Sequence, residues 1–185
     1  KYSKLLHFYL IKCQLLVELK NLFNFMNDVL NKEPVKRVRD ELQRLNTNLK
    51  VIVLETTART ARDAANSLNT EVGSIVKSLL FRTENSFLLC LVAGDKRCSL
   101  NKLKKILNQK DVSMANADQV KEITGFTIGG VSPIGHLKKI RVYIDQSLSR
   151  FINIYAAAGH PHCIFKINFD DLCKISNGEI KDIVE

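Results

Sequence analysis

The stretch "EVGSIVKSLLFRTENSFLLCLVAGD", residues 71–95, constrains the fold more than any other. Two apolar runs, about 77–82 and 87–93, flank the polar "TENS", which is the pattern of a β-hairpin. A hairpin commits one strand pair to antiparallel order, which argues against a doubly wound parallel sheet. Further strands are predicted in "KVIVLE" (50–55), "KIRVYID" (139–145), "NIYAAAG" (153–159) and "CIFKIN" (163–168). "FTIGGVSPIGH", 126–136, is expected to begin as a strand and break into loop.

Helices fall between these strands. Pro34 reads as a first-turn residue of a helix running to about Thr47, with Val35, Val38, Leu42 and Leu45 at helical spacing. Thr60 offers a cap with Asp63 three residues on, ahead of "AANSL". Ser99 caps "SLNKLKKILNQ", Gly125 closes "NADQVKEITG", and Asn168 caps "FDDLCKIS" before Asn177-Gly178 turns the chain into "EIKDIV". Helices and strands interleave irregularly, with hairpins as well as crossovers. The fold class is therefore α+β with a mixed sheet, in one domain over residues 26–185.

Residues 1–25 stand apart as an N-terminal extension. Lys12, Glu18 and Lys20 interrupt its apolar run, so it is too short to span a membrane and makes a poor signal peptide. Leu5, Leu6, Tyr9, Leu16, Leu19 and Phe23 line one face if it is helical, and Met26 is an alternative start. Four lysines and one glutamate precede Met26, so the extension holds +3 of the net +9 and the domain keeps +6. The sequence pI of about 9.4 favours a polyanionic partner, either nucleic acid or an anionic membrane. Five cysteines without a CxxC pair read as free thiols in a reducing cytosol, so the chain is expected to be cytoplasmic.

Chemistry-bearing motifs are few. No Walker A loop, GxGxxG or GxSxG is present. "HPHC", 160–163, offers three metal ligands at most, and no metal or other cofactor is expected. Lys77 places a charge inside an apolar run, either snorkelling to water or pointing into a cleft to hold phosphate or ribose oxygens. "GGVSPIGH", 129–136, has too much bare backbone for a core strand.

Together "GSIVKSLLFR", "FTIGGVSPIGH" and "IYAAAGHPHCIFKINFDDL" resemble the YbaK/EbsC-type aminoacyl-tRNA deacylases, relatives of the editing insertion of bacterial prolyl-tRNA synthetase. The three motifs occur in the family's order, and the resemblance covers about residues 33–185. It implies a barrel-like mixed sheet flanked by helices. It also implies hydrolysis of the ester joining a wrong amino acid to the 3′ end of a tRNA, with aminoacyl-tRNA and prolyl-tRNA synthetase as partners. The resemblance makes Lys77 the anchor for the terminal adenosine and its phosphate. It places Gly129, Gly130, Ser132, Pro133 and Gly135 against the scissile carbonyl. It makes Ala156 to His162 the opposite wall, with Ala157 and Gly159 binding substrate, and His160 and His162 either contacting substrate or tRNA or standing at the surface behind it. The cysteine-directed branch usually carries a serine before the glycine of this wall. Ala156, Ala157 and Ala158 stand there instead, which favours small apolar amino acids such as alanine or 2-aminobutyrate. In this reading the backbone N–H groups of Gly129 and Gly130 stabilise the oxyanion in place of a side-chain nucleophile. Two other readings of the residues remain: a module that binds a tRNA acceptor end without turnover, and a membrane-associated protein using its basic N-terminal stretch.

Overall fold

The computed structural model describes residues 2–45 and 48–185. Helix α1 (Tyr2–Leu30) leads directly into α2 (Glu33–Arg44). Strand β1 (Val51–Val53) and helix α3 (Ala61–Leu68) follow, then the hairpin β2 (Ile75–Arg82) and β3 (Phe87–Ala93). Next come α4 (Leu100–Leu107), the short β4 (Ser113–Met114), α5 (Ala117–Thr124) and β5 (Arg141–Asp145). The chain closes with β6 (Ile154–Ala157), β7 (Cys163–Ile167), α6 (Phe169–Ser176) and β8 (Glu179–Lys181).

The eight strands form one sheet in the order β1-β7-β6-β2-β3-β5-β8, with β4 also on β2. The sheet is mixed: β2/β3 and β6/β7 are antiparallel, whereas β2/β6 and β3/β5 are parallel. The predicted α+β class is the observed one. Strand β3 explains why "FLLCLVA" does not alternate in polarity. Leu89, Leu91 and Ala93 face the main core, while Leu88, Cys90 and Val92 face a second cluster with Leu103 of α4 and Tyr143 of β5. A strand covered on both faces is apolar throughout.

The capping signals are realised atom by atom. Thr60 Oγ1 accepts from Asp63 N–H at 3.1 Å and Asp63 Oδ2 accepts from Thr60 N–H at 3.2 Å. Asn116 and Gln119 form the same reciprocal pair at the start of α5, and Gly125 closes that helix at φ +76°. Asn69, Asn108 and Asn177 take the left-handed residue that ends α3, α4 and α6.

Two expectations are corrected. "FTI" is not a strand: the Gly125 cap turns the chain, Phe126 N–H donates to Thr124 Oγ1 at 3.0 Å, and a tight turn follows at once. Helix α2 ends at Arg44, short of the expected Thr47, and residues 46 and 47 lie outside the described ones. The N-terminal stretch is helical, its described stripe residues Leu16, Leu19 and Phe23 are exposed, and α1 continues unbroken through position 26. Leu5, Leu6 and Tyr9 lie outside the described side chains. Among its described side chains, α1 joins the main core at Phe25, Val29 and Leu30. No helix among the described residues is long and apolar enough to cross a membrane.

Candidate active site

The site opens where β2 loses a neighbour. On one side β2 pairs with β3 from Val76 to Arg82. On the other it pairs with β6 only at Ile75 and Val76, and with β4 only at Phe81 and Arg82. The interval between these partners opens onto a cavity of about 350 Å³. Ala58, Ala61 and Ala64 wall it around α3, Tyr155 and Ala157 wall it from β6, and Ile128, Gly129 and Val131 close it from the glycine-rich loop. Most of the lining is aliphatic, and the bulk is small because alanine recurs.

Of the site residues expected from the sequence, Lys77, Gly129 and Ala157 line this cavity together. Lys77 is half-buried, and its ammonium donates to the carbonyl oxygen of Lys96 in the turn after β3. Burial pushes the Lys77 pKa down and Arg97 adds to that, while Asp95 and Cys98 pull it back up.

The glycine-rich loop is built by requirements that a sequence does not display. Gly130 N–H donates to Thr127 O at 2.9 Å, closing a turn whose third residue, Gly129, sits at φ +87°. That conformation is the type II turn position reserved for glycine. A Cβ on Gly130 would lie 3.0 Å from the backbone N and Cα of His160, so the loop and the "AAAGHPH" wall touch backbone to backbone. The Gly130 amide is thus engaged in the turn. The Gly129 amide has no hydrogen-bond partner among the described residues.

Ser132, Pro133 and Gly135 lie behind the cavity lining rather than in it. They fasten the loop. His136 Nε2–H donates to Ser132 O at 2.8 Å, Ser132 Oγ accepts from Ile134 N–H at 3.4 Å, and Arg37 Nε donates to Gly135 O at 2.9 Å. The His136 ring is buried, which lowers its pKa; the bond to Ser132 opposes the shift and Arg37 adds to it.

Gly159, His160 and His162 also lie outside the lining, although Pro161 between the histidines is part of it. Gly159, at φ +86°, faces α2 so closely that a Cβ would meet Pro34 O at 2.5 Å. His162 bonds through Nδ1 to Leu54 O at 2.9 Å, stacks on His160 with centroids 5.6 Å apart, and meets Phe25 edge-on at 5.0 Å. Burial, with Lys32 and His162 nearby, lowers the His160 pKa. No group of three metal-binding side chains occurs among the described residues.

The sequence reading overlooked Arg59, Ser78 and Tyr155, all in the lining. Arg59 is exposed, without an acidic partner among the described residues, and its backbone lies beside Gly129. Tyr155 is the aromatic residue of the described lining and pairs with Ile75 across the β6–β2 ladder. The adjacency of Tyr155 to "AAAG" and of Ser78 to Lys77 were the signals available.

The chain matches the family described as aminoacyl-tRNA editing domain over residues 55–175. It is 31% identical over 147 residues to the uncharacterised protein YwhH of Bacillus subtilis, covering 79% of this chain and 93% of that one. It is 31% identical over 131 residues to the proline–tRNA ligase of Bacillus velezensis, covering 70% of this chain but only 22% of the ligase. A crystal structure of a candidate trans-editing enzyme for prolyl tRNA synthetase superposes with a TM-score of 0.79 at 34% identity, covering 83% of this chain and 98% of that one. With a matched region that takes in the cavity's α3, β2 and β6 walls, the chain belongs to the aminoacyl-tRNA editing domain family.

Proposed function

We propose that the protein hydrolyses, in trans, the ester bond of tRNA-Pro mischarged with a small amino acid, alanine or 2-aminobutyrate ahead of cysteine. The observation that carries this reading is the alanine-walled cavity of about 350 Å³ with Lys77 in its lining, in a chain of the editing family. An ester is already activated, so water needs only positioning and charge stabilisation rather than a covalent nucleophile. The water oxygen adds to the ester carbonyl, the tetrahedral oxyanion collapses, and the ribose oxygen leaves with the proton that the water gives up.

Lys77 holds the terminal phosphate or ribose. Its present acceptor, the Lys96 carbonyl, is neutral, and a phosphate is the stronger acceptor for an ammonium. Arg59, on the cavity wall without an acid beside it, adds a second cation toward the acceptor strand. Gly129 lines the same cavity, and its amide is an unpaired donor among the described residues. Ala61, Ala64 and Ala157 leave room for a small acyl side chain, and one methylene more or less changes the fit by ~1–3 kcal/mol. The net charge of +9 draws the polyanionic tRNA to the surface.

The test is a deacylation panel on tRNA-Pro carrying Ala, 2-aminobutyrate, Cys, Ser or Pro. Release of Ala and 2-aminobutyrate with Pro left intact is expected. Tight binding of the acceptor end without release of any amino acid identifies a non-catalytic binding module instead.

A further inference from the structure

We infer that Ser78 is a catalytic residue of this site, presenting its backbone N–H and its hydroxyl to the carbonyl oxygen of the ester. The inference rests on the deacylase reading above and adds to it the group that meets the reacting carbonyl.

Along a β-strand, the N–H and C=O of alternate residues point to the same edge. Leu80 O accepts from Ala115 N–H at 2.9 Å on the β4 side, and Val76 pairs with Ala156 of β6 on that same edge. Ser78 lies midway between Leu80 and Val76, so its peptide N–H and C=O aim at this edge too. The β6 ladder stops at Val76 and the β4 ladder starts at Phe81, so no strand receives them. The space they face is the cavity, whose lining includes Ser78.

The side chain repeats the pattern. Ser78 Oγ is buried and has no hydrogen-bond partner. Among the described residues only one other side-chain oxygen shares that state, Ser147 Oγ, and it lies outside the cavity. Buried polar groups in native proteins are almost always paired, and an unpaired one calls for an occupant. Here a hydroxyl and a peptide edge are both unpaired on one residue, and that residue lines a mostly aliphatic cavity beside Lys77. Two convergent donors are what a carbonyl needs as it becomes an oxyanion. Of the two amides in the glycine-rich loop, Gly130 N–H is engaged with Thr127 O, which leaves Gly129 N–H as the other unpaired donor at this cavity.

In the reaction, the water oxygen bonds to the ester carbon while the carbonyl π pair moves onto the oxygen held by Ser78 N–H and Oγ–H. The pair returns as the bond to the ribose oxygen breaks, and that oxygen takes the proton released by the water. Ser78 forms no covalent bond.

Two measurements test this. The first is single-turnover deacylation of Ala-tRNA-Pro by folded Ser78→Ala and Ser78→Thr. With the hydroxyl removed and the peptide donor kept, Ser78→Ala is expected to be slower by roughly ten- to a hundredfold in kcat, with KM little changed, and Ser78→Thr to recover most of the rate. The second uses the wild-type chain and a stable probe, 3′-alanylamino-3′-deoxyadenosine, followed by the backbone amide NMR signals. The Ser78 amide is expected to move downfield on binding. Wild-type rates for Ser78→Ala, or probe binding that leaves the Ser78 amide unmoved, overturns the assignment. A wild-type chain that releases no amino acid refutes the deacylase reading, and the carbonyl-binding edge then stands or falls on the amide shift alone.

Discussion

Lys77 and Gly159 show how differently single residues matter in this molecule. Lys77 is half-buried, and the one hydrogen bond that its ammonium makes is to a backbone carbonyl in a turn. Lys77→Ala is therefore expected to cost within about 1 kcal/mol of stability while slowing deacylation at least ~100-fold, through loss of the group that positions the ester. Lys77→Arg is expected to recover only part of the rate, since a planar fork replaces a compact charge. Denaturant melts and single-turnover rates on the same preparations check both halves, and a wild-type rate for Lys77→Ala removes the lysine from the mechanism. Gly159→Ala should do the reverse. A Cβ there meets Pro34 O at 2.5 Å in a backbone already at φ +86°, so about 2–4 kcal/mol of destabilisation is expected without any direct contact with substrate. A melting temperature within a degree of wild type would contradict the packing described.

At the scale of elements, the loop 126–136 is fastened by α2 and by its own histidine. Arg37 reaches Gly135 O and Thr124 O from α2, and its guanidinium lies over the Phe126 ring at 4.9 Å. His136 is held neutral by burial, with its pKa below the usual His value of about 6.5. Above that pH the ring is neutral in both folded and unfolded chains and contributes no pH dependence. As pH falls through it, the unfolded chain takes up a proton that the folded chain resists, so stability is lost on the acid side. His160, also shifted down by burial, acts in the same direction. Melting temperatures taken from about pH 7.5 to about pH 5.5 should fall, and His136→Gln, which keeps a donor for Ser132 O, should flatten part of the slope. An unchanged slope in that variant would place the titration elsewhere. The capping box at the start of α3 is a second element-scale test. Thr60→Ala should cost ~1 kcal/mol and loosen the wall that carries Ala61 and Ala64.

For the whole molecule, the question is where the editing unit begins. Every cavity-lining residue lies between Ala58 and Ile164, inside the matched family region. Helix α1 exposes Leu15, Leu16, Val17, Leu19 and Phe23, and among its described side chains those that join the core are Phe25, Val29 and Leu30. We propose that a chain beginning at Met26 folds and deacylates at close to the full rate. It loses the Phe25–His162 contact, which is expected to cost about 1 kcal/mol. A folded chain of that length without turnover would tie residues 1–25 to function, and failure to fold would make them part of the core.

Most elements and the α+β class were legible in the chain alone, though not the short β4 or the loop start at Phe126. Caps at Thr60, Ser99 and Asn168, the glycine stop at Gly125 and the "TENS" hairpin are local hydrogen-bond and dihedral requirements, and local requirements are written in neighbouring residues. The ordered motifs likewise pointed to the family, and Lys77, Gly129 and Ala157 do meet in one cavity. What the tertiary structure alone decided is which backbone is free. Gly130 looks like an open amide in sequence, but its N–H closes a turn and its missing Cβ admits His160. Ser78 looks like an ordinary strand residue, but it sits where β6 has ended and β4 has not begun. Strand pairing joins residues that are far apart along the chain, so an absent partner leaves no mark beside the residue that lacks it.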